Sequence, residues 1–172
     1  MDNKNVKLET GMDKKTMLSF LFTHNYLSVG GIAGIIISIL AWIFVIYSWN
    51  TLGIFGQVVL IFIGLLFIVI KPVMLLIQAS NVLKKDSTYQ NKMNYSFDSY
   101  GVSISQENDS VYLTWDKVTK LALTKNMLAV YESKNHAYIV PVSDMEEDKE
   151  TLISIVKDAV AENKIKTIGA LK

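Results

Sequence analysis

The sequence predicts a membrane α-helical hairpin joined to a small α+β domain. Three observations carry that expectation: two long uncharged apolar runs in the first half, a short polar link between them, and period-two alternation beyond residue 92 that gives way to a helical repeat. The chain has 172 residues, enough for one modest domain beside a membrane segment.

The first run, Leu27–Trp49 (LSVGGIAGIIISILAWIFVIYSW), contains no charge. Roughly 20 helical residues cross a hydrocarbon core of about 30 Å, and a soluble core helix would show a polar stripe that this run lacks. It is too long for the apolar region of a cleaved signal peptide, and no small-residue cleavage motif closes it. A second uncharged run, Ile54–Ile70, follows after Ser48–Gly53 (SWNTLG), so the two helices must be antiparallel neighbours. Trp42, Tyr47 and Trp49 near the turn read as interfacial aromatics. Lysines flank both outer ends (Lys4, Lys7, Lys14, Lys15 before; Lys71, Lys84, Lys85, Lys92 after) and none sits in the turn. The positive-inside rule then puts both termini on the cytoplasmic side of the membrane.

Lys71-Pro72 interrupts the second run, although VMLLIQA continues to Ala79. Proline disfavours helix at the residue before it, which favours a kink followed by a short interfacial helix over Val73–Lys85. The alternative is one long tilted helix with Lys71 reaching back to the headgroups. In the first run Gly30, Gly34 and Ser38 recur every fourth residue, a spacing that lets helix backbones approach closely. They are the candidate helix-packing residues, against the partner helix or, in the sharper reading, against a second copy of the chain. Ahead of the run, Met17–Phe22 reads as an amphipathic entry helix lying at the membrane face.

Charge is distributed unevenly. Overall it is +1, yet residues 71–92 carry four lysines against Asp86, whereas residues 93–172 carry nine lysines and twelve acids. Lys71, Lys84, Lys85 and Lys92 therefore form a basic collar, the candidate membrane-surface residues beside anionic lipid. A net-negative domain without a basic stripe excludes nucleic acid as the expected partner. Cysteine and arginine are both absent, which removes thiol chemistry, cysteine metal sites and bidentate phosphate capture.

In the second half, Tyr95–Phe97, Val102–Ile104, Val111–Trp115, Val118–Leu123, Leu128–Val130 and Tyr138–Pro141 alternate as strands with hairpin-length links, an antiparallel meander of about six. A shared core of Tyr95, Phe97, Val111, Leu113, Trp115, Val130 and Ile153 is expected. Ser143 and Glu146 have capping-box spacing ahead of a helix whose apolar face runs through Leu152, Val156 and Val160. The expected organisation is an N-terminal segment 1–26, a hairpin 27–71 (spans 27–49 and 54–70), an interfacial helix and linker 72–92, a soluble domain 93–165, and a tail 166–172 with little to order it.

Six strands followed by one helix resemble a pleckstrin-homology-like half-barrel. The two spans, Lys71-Pro72, YSFDSYGV (residues 95–102), LTWDKV (113–118) and AYIVP (137–141) together are similar to the YcxB-like proteins of bacteria. The resemblance implies a membrane hairpin ahead of a small C-terminal domain and supplies no site residues. The chain departs from it at Val142, where a basic residue often follows the strand-ending proline.

Chemistry-bearing clusters are sparse. The chain has two histidines, His24 and His136, with Glu132 and Asp116 as the nearest candidate carboxylates to the latter. One histidine does not make a metal or acid–base site. The acids between Asp144 and Glu150 run consecutively around a helix start and point in different directions. No catalytic, cofactor-binding or metal residues are therefore assigned. The expected role is a non-catalytic, membrane-anchored binding or scaffold module, with lipid and a protein as partners and homo-oligomerisation open. The alternative is an immunity or accessory protein guarding against a toxin or serving a secretion or envelope system.

Overall fold

The computed structural model describes residues 5–85, 89, 91–107, 109–145 and 148–168. Lys4, Asp86, Glu146 and residues 169–172, on which parts of the expected flank, collar, capping box and tail rest, lie outside them. The architecture is α+β, with two apolar helices and two four-stranded sheets. The chain divides into two compact units, one formed by Met1–Phe20 with Val82–Lys172, the other by Leu21–Asn81.

In the second unit, Ser28 caps α2 (Val29–Tyr47) by accepting the Gly31 N–H at 3.0 Å. The helix ends at Ser48, and α3 (Ile54–Leu65) begins after Gly53. Gln57 fastens the turn by donating through Nε2 to the Trp49 and Leu52 carbonyls. Helical backbone then runs without a break from Ile54 to Lys85, so two helices, of 19 and 32 residues, are long and apolar enough to cross a membrane.

Lys71-Pro72 does not start a separate helix. The irregularity comes one turn earlier, where Leu66–Ile70 winds as a π-helix and leads directly into α4 (Lys71–Lys85). Lys71 keeps helical angles (φ −61°, ψ −47°) and donates its N–H to the Leu66 carbonyl, five residues back. In that register the next donor, aimed at Phe67, would belong to Pro72, which has none. The Tyr26 hydroxyl fills the gap by donating to the Phe67 carbonyl at 2.7 Å. A wider turn thus lets the helix pass the proline, and a side chain replaces the lost bond.

The first unit begins with β1 (Val6–Thr10), inside the segment expected to be only a membrane flank. β1 pairs antiparallel with β2 (Met93–Phe97), Val6 opposite Phe97, and β3 (Gly101–Gln106) and β4 (Asp109–Thr114) complete the first sheet in the order β1-β2-β3-β4. The second sheet has the order β7-β6-β5-β8, from β5 (Lys120–Thr124), β6 (Met127–Tyr131), β7 (Ala137–Pro141) and β8 (Ile165–Ile168). β2 to β7 fall at or near the expected alternating segments, but they divide between two sheets instead of forming one meander of six, and β1 and β8 extend those sheets. β8 lies parallel to β5 with Leu121 opposite Ile165, so the start of the expected loose tail is ordered by a ladder.

α5 (Lys149–Ala159) sends Leu152, Ile155 and Val156 into one core with Val6, Leu8, Tyr95, Phe97, Val102, Leu113, Trp115 and Val130. The helix starts later than expected: Asp148 precedes it, while Ser143 lies in a 3-10 turn and donates to Asp144, so Ser143 caps nothing. Tyr95 ties the sheets together, its buried hydroxyl donating to the Ile139 carbonyl at 3.3 Å. Burial raises the Tyr95 pKa, and the neutral donor is kept.

The other face of the second sheet is also covered. Ala122, Met127, Ala129, Tyr131 and Ile139 form a smaller cluster, with Met12 and Phe20 packed on it. Phe20 lies in α1 (Lys14–Tyr26), its ring centroid 6.2 Å from that of Tyr131. The apolar residues expected to seat an entry helix on lipid are, at Phe20, part of a protein core. This explains why every residue of β6 is buried.

Candidate functional site

The expected helix-packing residues separate. Gly34 and Ser38 are buried with Gly31, Ala41 and Val45 on one face of α2, whereas Gly30 is exposed with open space around its Cα. The buried face includes Gly31, which closes on the Asn25–Tyr26 backbone, and not Gly30, because a strict four-residue step drifts by about 40° per repeat on a 3.6-residue helix. A Cβ on Gly34 would strike the Phe67 ring, and one on Gly64 would come within 2.7 Å of Trp42. Ser38 Oγ donates to the Ile63 carbonyl at 3.1 Å. These contacts hold α2 and α3 antiparallel, through small residues, a polar bond and two aromatic lids.

The candidate membrane-surface lysines do not form one cluster. Lys71 opens α4, half-buried, while Lys84 and Lys85 close it. Lys92 pairs with Glu9 at 3.4 Å, an exposed contact between the start of β2 and β1. His136 meets only Glu132 of its two candidate carboxylates, through Nδ1 at 2.9 Å, on an exposed hairpin corner edged against Tyr138. Among the described residues no three His, Cys, Asp or Glu side chains stand together as a metal site. A cavity of about 20 Å³ between α5 and the second sheet, walled by Leu121, Leu128, Leu152 and Val156, has room for about one water.

The surface that sequence reasoning missed is the free edge of the first sheet. Asp98, in the turn between β2 and β3, organises it. Its carboxylate accepts the N–H groups of Tyr100 (2.7 Å) and Gly101 (2.9 Å) and the Tyr112 hydroxyl (3.1 Å). Its carbonyl accepts the indole N–H of Trp115 at 3.0 Å. Gly101 permits the close pairing with Thr114, since a Cβ there would strike the Leu113 carbonyl. Partial burial of the ring, then the Asp98 carboxylate, raises the Tyr112 pKa, so the phenol stays a donor.

The result is a stiff edge strand with apolar groups in the open. Tyr100 is 77% exposed, Val111 46% and Tyr112 48%, while Trp115 beneath them is buried. Val111 was expected in the core; it lies on the inward face, but no strand continues the sheet beyond β4 to cover it. Natural edge strands are usually blunted by lysine, proline or shortness. The other edges conform: β1 alternates Lys7 and Glu9, β7 ends in Pro141, and β8 is short and carries Lys166. β4 (DSVYLT) carries neither lysine nor proline. An unguarded edge offers backbone hydrogen bonds to an added strand, and Val111 and Tyr112 offer one side-chain contact on each face.

No curated protein and no solved structure matches the chain. The two apolar helices and Lys71-Pro72 lie outside the family match, which is confined to the strands and helix of the first unit. There, from the end of β2 into α5, residues 97–156 match the family model described as YcxB-like protein.

Proposed function

We propose that the protein is a membrane-anchored, non-catalytic binding module that captures an extended segment of a partner protein on β4. The observation that carries this reading is the unguarded β4 edge with Val111 and Tyr112 exposed on its two faces. Strand addition needs no catalytic group or cofactor; the backbone ladder supplies affinity and the two side chains supply selectivity.

The proposed location is the bacterial cell membrane, with α2 and the α3–α4 helix as spans and both termini cytoplasmic. Pairing of β1 with β2 supports it, because the chain before the hairpin and the chain after it fold into one sheet. Two strands of one sheet must lie on one side of a bilayer, which requires an even number of crossings between them. The flanking lysines then select the cytoplasmic side. The first unit is proposed to be a pleckstrin-homology-like half-barrel. Its support is the order of a four-stranded antiparallel sheet, the antiparallel β5-β6-β7 and a closing helix; β8 is an addition.

The test is a photo-crosslinking phenylalanine analogue at position 112 of the full chain in cells, with position 7 on β1 as control. The expected result is a discrete adduct from position 112 only, lost when Val111→Lys guards the edge. An adduct insensitive to Val111→Lys, or one consisting of two copies of this chain, would overturn partner capture at β4.

A further inference from the structure

Lys120 is joined by two lysines from much later in the chain, Lys164 and Lys166, where β5 and β8 begin. Lys120 opens β5, beside Tyr131 of β6, with its Nζ 4.8 Å from the centre of that ring. On the other side the parallel register sets Leu121 opposite Ile165 and Ala122 opposite Lys166. Lys166 therefore projects from the same face of the sheet as Ala122 and Lys120, because alternate residues share a face. Lys164, at the turn into β8, donates through Nζ to the Val118 carbonyl at 2.8 Å.

Among the described residues no salt bridge involves these three lysines; the ion pairs there are Lys92–Glu9 and His136–Glu132. Lys120 and Lys164 are half-buried, so water screens them less than free surface lysines. Burial first, then the charge of Lys166, lowers the Lys120 pKa. A folded surface that keeps like charges together at a cost to itself is a candidate binding site by the same logic that marks active sites.

We propose that Lys120, Lys164 and Lys166 form a binding site for a phosphate-bearing anion. Lysines bind phosphate oxygens as point charges, without the planar fork that arginine would supply. The phosphate can come from a phospholipid headgroup or from solution. The site is independent of the β4 edge and stands or falls separately from the proposed function.

The experiment uses the full chain in an uncharged detergent, titrated with short-chain phosphatidylglycerol in mixed micelles and, separately, with inorganic phosphate at constant ionic strength. The test variant is Lys120→Gln/Lys166→Gln. The control, Lys125→Gln/Lys134→Gln, removes the same charge from exposed positions elsewhere. The expected result is a loss of about fivefold per lysine in the test variant, roughly 25-fold in all, with the control within about twofold of the parent. Loss confined to phosphatidylglycerol identifies a lipid headgroup; loss of inorganic phosphate binding identifies a soluble phosphate. Lys120→Arg/Lys166→Arg should bind like the parent. The exposed single change Lys166→Gln, which leaves the core untouched, should lose about fivefold and covers the case in which the double variant folds poorly. Equal losses in test and control, or no dependence on these lysines with either probe, would overturn the proposal.

Discussion

Replacing Tyr26 with phenylalanine deletes one oxygen and keeps the ring that stacks on Phe22 at 5.5 Å between centroids. The lost group is the donor to the Phe67 carbonyl, at 2.7 Å, where the π-helical register would have required an N–H from Pro72. A buried carbonyl left without a donor costs about 1–3 kcal/mol in soluble proteins, and single side-chain bonds between membrane helices average about 0.6 kcal/mol. Here Pro72 has no N–H to offer that carbonyl, which argues for the upper part of the membrane range, about 1–2 kcal/mol. Reversible detergent-induced unfolding of the full chain should read this loss. The decisive arm is the pairing with Pro72→Ala, which returns a backbone N–H to the turn. If Tyr26 replaces the proline's missing donor, Tyr26→Phe should cost about 1 kcal/mol less in the Pro72→Ala background. Strict additivity of the two substitutions would refute the reasoning.

Gly34→Leu should destabilise the hairpin by about 1–3 kcal/mol, since its Cβ strikes Phe67, whereas Gly30→Leu, facing open space, should be silent in the same unfolding assay. Trp115→Ala should cost about 3–5 kcal/mol, because it empties a buried site packed on Phe97 and removes the bond to Asp98; differential scanning of the full chain checks it, and an unchanged melting temperature would place Trp115 on the surface. A fragment spanning 82–172 should fail to melt cooperatively, for want of Val6 and Leu8 in the core and Phe20 on the outer face. Joining residues 1–20 to it through a flexible linker of about 15 residues should restore a sharp transition.

The long apolar helices and six strands were legible because their signals are local: uncharged length for the helices, alternation between turn residues for the strands. What escaped depends on distant partners. Val6-Lys7-Leu8-Glu9-Thr10 alternates as cleanly as any strand, but its ladder partner lies beyond the hairpin, at Met93–Phe97. Ile165–Ile168 reads as tail until Leu121–Thr124 stands beside it. The π segment sits in a featureless run, LFIVI, and only the Tyr26 bond shows where the ladder is broken. Val111 alternates like a core residue, and the burial it lacks is set by the missing fifth strand. The β4 surface was invisible for that reason, since β4 carries neither the lysine nor the proline that marks the other edges. The Lys120–Lys164–Lys166 group was invisible because it is assembled by a parallel pairing.

In the proposed arrangement a membrane hairpin is inserted into one folded unit, whose two pieces lie on the same side of the membrane. The chain has no cysteine, so single cysteines at the exposed positions Asn5, Asn50 and Ser133 report cleanly on sidedness. An impermeant thiol reagent applied to intact cells, with any outer membrane permeabilised, should label Asn50→Cys and spare Asn5→Cys and Ser133→Cys until the inner membrane is opened. Labelling of only one of Asn5→Cys and Ser133→Cys in intact cells would set the two on opposite sides, break the pairing of β1 with β2, and contradict the account.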